Sequence, residues 1–252
     1  MSATGTDAAV LIIGNEVLSG RTADSNLPYI ADRLTQLGIP VREARVVPDV
    51  LDTIADAVNA LRHAHTYVFT TGGIGPTHDD VTCDAVARAF DLPVIEHPDA
   101  RARLEAHYDP ADLNEARLRM ARTPAGARLI DNPVSAAPGF RVANVHVLAG
   151  VPRIAQAMFE GVKDGLAGGA PVVARTVVGF VAEGTVADRL RTVQADFPDA
   201  ELGSYPFFRN GRLGTSVVVR HTDPERLDAA TRVVERLMED LGAAPEVVEG
   251  AA

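Results

Sequence analysis

The 252-residue chain contains no tryptophan, one cysteine and four methionines, and only 5% of it is aromatic. Lysine is almost missing too: Lys163 stands alone, and arginine supplies the other positive charges. Each shortage excludes something. A lone Cys83 makes neither an intramolecular disulfide nor a cysteine-based zinc site, a usage that fits a reducing compartment. Without a lysine in any glycine-rich loop there is no Walker-type phosphate clamp. Schiff-base chemistry would rest on Lys163, at the end of a predicted surface helix. The longest apolar runs, such as Val172–Ala174 and Val217–Val219, are far too short to cross a bilayer. The polar segment Met1–Asp7 lacks the basic flank of a signal peptide, so the expected setting is the cytoplasm with no membrane partner. Acidic residues number 34 against 24 basic ones, a net charge of −10. Basic patches supply most of the affinity for phosphate backbones, so no nucleic-acid partner is expected.

What is present is an alternation of apolar strands and amphipathic helices. Ala8–Gly14 reads as a strand running into a polar loop, Asn15–Ser25. Asn26–Leu37 reads as a helix with Leu27, Ile30, Leu34 and Leu37 on one face and Gly38 past its end. Strands are predicted at Val41–Val47 and Thr66–Thr71, and helices at Asp49–Ala64 and Val81–Phe90. Such alternation implies a mostly parallel sheet covered on both faces. Ligands of such sheets sit outside the carboxyl ends of the strands, which is where the loops 15–25, 48–49 and 72–80 would gather. Arg101–Arg122 reads as a helix interrupted at Pro110, Arg128–Gly139 as loop, Val142–Leu148 as a strand, and Val151–Leu166 as helical after Pro152. The break Ala167–Pro171 marks the best domain boundary, giving domains 1–170 and 171–252. The second domain is predicted as a small α+β module, β-α-β-β-α. Its elements are Val172–Val181, Thr185–Phe197, Leu202–Arg209, Arg212–His221 and Pro224–Leu241. Asn210-Gly211 is a two-residue hairpin signal, and the tail after Pro245 is expected to fray.

Two loops carry the candidate chemistry. Thr70–Asp80 reads TTGGIGPTHDD. Gly72, Gly73 and Gly75 between a strand and a helix let backbone N–H groups face an anion, and the helix start adds partial positive charge. Asp79 and Asp80 beside a phosphate call for a bridging cation, and magnesium takes one or two carboxylates together with phosphate oxygens. The alternative for the same residues is a tight turn in which Asp79 or Asp80 N-caps the helix at Val81. In the second loop Glu16 is positioned to share that cation, and Ser19 and Arg21 to reach phosphate oxygens. An ordinary loop with Asn15 as a turn residue is the alternative. Asp49 either N-caps the helix beginning at Leu51 or completes an acidic cluster. His78 lies in the acidic loop, but the histidines show no metal-ligand spacing.

Four segments resemble the CinA family of competence/damage-inducible proteins: GNEVLSGRTADSN (14–26), TTGGIGPTHDD (70–80), DNPVSAAPGF (131–140) and GVPRIAQAMF (150–159). That family contains the molybdopterin-binding domain also found in MoaB and Mog proteins. The resemblance implies a three-layer α/β sandwich whose loop edge binds a phosphorylated pterin or a nucleotide diphosphate. The matching residues are Gly14, Asn15, Ser19, Arg21, Asn26, Thr71, Gly72, Gly73, Gly75, Ser135 and Gly139 for the ligand. Asp49 and Asp80 would be catalytic, with Glu16, Asp79 and Asp80 holding a metal. The implied activity is hydrolysis of ADP-ribose- or FAD-like dinucleotides with Mg²⁺, Mn²⁺ or Co²⁺ and no organic cofactor. Molybdopterin binding or adenylyl transfer, and nucleotide binding without catalysis, are the alternatives. A homodimer or trimer is expected by the same analogy. The deamidase domain that follows in full-length CinA proteins has no counterpart in these 252 residues. The family's PGVPxEM reads Ala149-Gly150-Val151-Pro152-Arg153-Ile154-Ala155, with isoleucine in place of the glutamate.

Overall fold

The computed structural model of the chain describes residues 5–250, which divide into two compact units between Gly169 and Ala170. The first begins with β1 (Ala8–Ile13), buried at every position, as a strand covered on both faces must be. After it come α1 (Asn15–Leu18), α2 (Asn26–Gln36), β2 (Val41–Val47), α3 (Leu51–Ala64), β3 (Tyr67–Thr71) and α4 (Thr82–Ala89). The unit continues through β4 (Val94–Glu96), α5 (Pro98–His107), α6 (Glu115–Leu118), β5 (Arg122–Pro124) and β6 (Arg128–Ile130). It closes with β7 (Gly139–Val142), β8 (Val145–Leu148) and α7 (Pro152–Val162).

The six-stranded sheet has the order β2-β1-β3-β8-β7-β6. Its first four strands are parallel, and β7 and β6 add antiparallel pairs. The period-two alternation of β1 feeds two cores. Ala9, Leu11 and Ile13 pack with Ile54, Val58, Leu61 and Val86 of α3 and α4. Ala8, Val10 and Ile12 pack with Ile30, Leu34, Met158 and Phe159 of α2 and α7. This is the expected three-layer sandwich with a mostly parallel sheet.

The second unit is β9 (Val173–Gly179), α8 (Glu183–Asp196), β10 (Glu201–Arg209), β11 (Arg212–His221), α9 (Pro224–Asp240) and β12 (Glu246–Glu249). They form an antiparallel sheet of order β10-β11-β9-β12. Val177, Val217 and Val219 pack on Val186, Val193, Leu227 and Val234 of the two helices. Asn210 and Gly211 both have positive φ, 52° and 74°, the hairpin geometry that their pairing announces. No helix among the described residues is long and apolar enough to cross a membrane.

Several local expectations fail. In the tail expected to fray, Glu246–Glu249 forms β12, and residues 251–252 lie outside the described residues. Val247 and Val248 pair with Val177 and Thr176, and Glu249 reaches Arg175 at 3.0 Å. The small unit is therefore β-α-β-β-α-β. The strand expected at Val142–Leu148 belongs to a hairpin, because Ala143 turns the chain with φ 49° and β7 precedes it. The segment 128–139, read as loop, contains β6, and the interrupted helix 101–122 resolves into α5, α6 and a 3₁₀ turn at Arg119–Ala121. The loop at Asn15–Ser25 opens with the single turn α1.

At the amino-terminal edge of the sheet, away from these loops, His65 lies between two carboxylates. Its ring nitrogens are 2.9 Å from Asp7 Oδ2 and 3.2 Å from Glu43 Oε2, with the side chain 9% exposed. Burial alone would push the ring's pKa down, but the bonds to Asp7 and Glu43 outweigh it and raise the value. A raised value means that folding favours the protonated ring. Its stabilisation is complete below about pH 6.5, the unfolded value, and fades as pH rises through the folded one. Urea unfolding of wild type and His65→Gln should differ by up to about 1 kcal/mol at pH 5.5 and converge toward pH 9. A gap that widens with pH would mean that the ring is neutral in the fold.

Candidate functional site

The parallel register sets the carboxyl ends of β1, β2, β3 and β8 side by side: Ile13 faces Val47, Ile12 faces Thr71, and Thr71 faces Leu148. The loops that leave them enclose a cleft of about 500 Å³. Glu16 lines it from the first loop, Asp49 from the second, and Gly72, Gly73, Gly75, Asp79 and Asp80 from the third. Ser135 closes one side.

The glycine loop has a conformation that larger residues resist. Gly72 and Gly73 have φ of 104° and 67°. A Cβ on Gly72 would stand 2.1 Å from the carbonyl oxygen of Ile13, and one on Gly73 2.2 Å from Thr82 Oγ1. The Gly72 N–H extends the ladder to the Leu148 carbonyl at 3.2 Å, so it is not available to a ligand. Among the described residues, nothing accepts from the N–H groups of Gly73, Ile74 or Gly75. Thr82 holds the loop from below: its hydroxyl donates to the Gly72 carbonyl at 3.0 Å and its N–H to the Gly73 carbonyl at 3.0 Å.

The acids are arranged by their own loops. Asp80 Oδ2 accepts from the Thr77 N–H at 2.8 Å and lies 2.6 Å from the Thr77 hydroxyl oxygen. The N-cap of α4 is Val81, with no side-chain capping bond. Neither aspartate therefore caps that helix. The Thr77 hydroxyl also lies 2.6 Å from Asp79 Oδ1, and this bond holds the Asp79 carboxyl below its usual range. Asp49 does not cap α3 either; its Oδ2 accepts from the Asn15 N–H at 2.8 Å, tying the second loop to the first. Glu16 folds back over Gly14, where a Cβ would meet its carboxylate at 2.6 Å. No three acidic, histidine or cysteine side chains among the described residues converge as a closed metal cage. The donor set fits a hard cation of the magnesium kind, which takes one or two carboxylates and completes its shell with phosphate and water oxygens. Asp80 Oδ1, with no hydrogen bond among the described residues, suits that use.

Other expected residues fall elsewhere. Gly14 and Asn15 position Glu16 and Asp49 rather than line the cleft. Ser19 turns its hydroxyl to the Glu16 carbonyl at 3.2 Å. Arg21 is exposed and outside the cleft wall. Gly139 is a packing residue: a Cβ there would stand 2.3 Å from the Val147 carbonyl oxygen. Asn26 and Thr71 line a smaller lobe beside the cleft. His78 is 95% exposed at its side chain. Burial pushes the Cys83 thiol up to about 12, which removes it as a nucleophile. Sequence reasoning missed Asn132, whose Oδ1 accepts from the Val134 and Ser135 N–H groups while its Nδ2 donates to Ser135 Oγ and the Ala137 carbonyl. The Asn-Pro turn signal at 132–133 points to this role. Met120 and Ile154, apolar residues of the wall, carry no such signal.

With this geometry in hand, comparison with known proteins is informative. Residues 9–167 match the family described as probable molybdopterin binding domain, and residues 171–246 match the FAD synthase middle domain. A protein of Archaeoglobus fulgidus is 34% identical, covering 92% of this chain and 97% of its own. A probable FAD synthase of Caenorhabditis elegans is 30% identical over 92% of this chain and 50% of its own length. The crystal structure of CinA from Thermoplasma acidophilum, a protein of unknown function, superposes with a TM-score of 0.61 at 36% identity. It covers 65% of this chain and 99% of that one. The chain spans between 59% and 63% of three further archaeal relatives.

The close approach at Gly72 makes a stability prediction. Gly72→Ala combines positive φ with a backbone clash and should lose at least about 2 kcal/mol. Gly20→Ala, at φ 72° with nothing within 4 Å of the new Cβ, should lose only about 1 kcal/mol. Urea midpoints of the two variants measure the difference, and equal losses would show that contact with Ile13 does not constrain the loop.

Proposed function

The chain belongs to the molybdopterin-binding-domain family in its CinA-like form, and on that premise we propose that it is a divalent-metal-dependent nucleotide pyrophosphatase acting on ADP-ribose- or FAD-like dinucleotides. One observation carries the reading. Unengaged backbone donors at Gly73, Ile74 and Gly75 share a cleft with the carboxylates of Glu16, Asp49, Asp79 and Asp80. Donors for an anion and ligands for a cation in one wall are what a metal-bound diphosphate needs. The match of residues 171–246 to the FAD synthase middle domain favours a dinucleotide over a free pterin.

In this reading the Gly73–Gly75 amides receive the non-bridging oxygens of the diphosphate, and they stabilise the charge that grows as the bridge breaks. Asp79 and Asp80 would hold the cation, with Glu16 completing the acidic wall. When bound, the metal supplies Lewis-acid polarisation of a phosphoryl oxygen and acidifies water. Asp49, held by the Asn15 N–H, orients the attacking water. The water oxygen bonds to phosphorus, the bridging P–O bond breaks, and two phosphomonoesters leave, AMP and ribose 5-phosphate from ADP-ribose. Met120, Ala137, Ala149 and Ile154 give the remaining wall an apolar character suited to the face of a base.

Binding without turnover is the second reading, and Ile154 favours it, because an apolar side chain stands in the cleft where the related motif has a carboxylate. The two readings separate in one assay. AMP release from ADP-ribose with Mg²⁺, Mn²⁺ or Co²⁺ should fall by about 10²-fold or more in Asp80→Asn, while its urea midpoint stays near wild type. Unchanged turnover in that variant removes Asp80 from the chemistry. No AMP from wild type, with ADP-ribose still bound, selects the binding role.

A further inference from the structure

The lobe beside the cleft has a polarity that does not match a phosphate. It measures about 50 Å³ and adjoins the cleft, sharing Glu16, Thr22 and Gly150 with it. Asn26 and Thr71 stand in its wall with 4% and 1% of their surface exposed. Asn26 Nδ2 donates to the Gly150 carbonyl at 2.9 Å. Only the NH₂ end can donate to a carbonyl, which fixes the amide orientation and leaves Oδ1 as an acceptor. That Oδ1 and the Thr71 hydroxyl oxygen are both buried without a hydrogen-bond partner. Leaving such groups unpaired is costly, and Glu16 and Asp24 also line the lobe.

We propose that this lobe receives a sugar hydroxyl of the bound nucleotide, which donates to Asn26 Oδ1 and accepts from the Thr71 hydroxyl. The chemistry selects among candidates. An anionic phosphate oxygen would face an acceptor and two carboxylates. An ammonium group has no acceptor for the Thr71 O–H. A hydroxyl is donor and acceptor at once and satisfies both walls. The volume agrees, since a water-sized group needs only about 10–15 Å³ of such space. Asn26 and Thr71 thus act as specificity residues for the sugar, separate from the amides that take the phosphates. The inference rests on the nucleotide reading above.

The test uses Thr71→Val, which keeps the β-branched shape and removes only the hydroxyl, with Thr71→Ser as the variant that restores it. Titration calorimetry with ADP-ribose and with inorganic pyrophosphate, using Ca²⁺ to hold back turnover, reads the two subsites separately. Thr71→Val should weaken ADP-ribose about tenfold and leave pyrophosphate unchanged. Thr71→Ser should bind ADP-ribose like wild type, and the unliganded melting temperature of Thr71→Val should not fall. Unchanged ADP-ribose affinity in Thr71→Val would overturn the assignment. So would equal weakening of both ligands, or a melting temperature several degrees lower, which would give the hydroxyl a partner inside the fold. Wild type that binds ADP-ribose while the variant does too defeats this inference alone. Wild type that binds neither compound defeats the nucleotide reading and this inference with it.

Discussion

The backbone contact between Gly72 and Ile13 is the constraint on which the site depends. The end of β3 crosses the end of β1 so closely that a Cβ at Gly72 would sit 2.1 Å from a carbonyl oxygen. The same residue donates onward to Leu148, so one glycine joins three strand ends. Gly150 on the neighbouring strand end approaches the Cα of Gly72 as well, with 3.2 Å to a hypothetical Cβ. Because the strands are parallel, their loops must leave on one edge. The close glycine contacts then decide that these loops meet as a cleft rather than splay apart. Everything chemical in the first unit follows from that meeting.

The charges have a logic of their own. Four carboxylates line a cleft in a protein of net charge −10, and no lysine lies near it. Left alone they would repel an anionic ligand. Two nearby arginines pair with other acids: Arg122 is engaged with Asp84 at 2.6 Å and Arg88 with Asp52 at 2.6 Å. Thr77 instead donates its N–H to Asp80 and its hydroxyl to Asp79, and the Asn15 N–H donates to Asp49. For Asp79 the Thr77 bond favours the ionised form; Asp49 and Asp80 are held in place by donors that leave further carboxylate oxygens open to the cleft. In the function proposed above, a cation that accompanies the ligand would meet that charge.

The central layer of this fold is legible in the sequence because its signals are local. β1 is uniformly apolar, α2 and α3 carry clear helical spacing, and the Gly72–Asp80 loop declares itself by composition. The segment 94–148 is not legible in the same way. Its strands are three or four residues long, too short for alternation to register, and β4 pairs with β5 across a 25-residue gap filled by helices. Their pairing is decided by partners far away in the chain. β12 was hidden for a related reason: Glu246–Glu249 is exposed throughout, so it buries no apolar face that a pattern could reveal. At the site, residue types were readable but partners were not. Asp49 and Asp80 look like helix caps by position, yet each spends its bonds on a loop instead, and Gly139 looks like a phosphate glycine while it serves strand packing.

Costly features also concentrate at this edge, which bears on what kind of edge it is. Gly72 and Gly73 hold positive φ, like-charged acids share a wall, and Asn26 Oδ1 and Thr71 Oγ1 are desolvated without partners. Uncompensated atoms are not unique to it, since Thr70, Thr123 and His146 each bury one too. His146, however, has a physical account. Burial pushes its pKa down to about 4, keeping it neutral, and its ring stacks on Phe69 at 4.9 Å, so the imidazole works as core. No such account covers Asn26 and Thr71, which line the small lobe beside the cleft. Asn26 and Thr71 differ from Thr70 and Thr123 in lining that lobe. Their position at the mouth of the one edge where strained glycines and free amides meet assigns the lobe to something that arrives from solution.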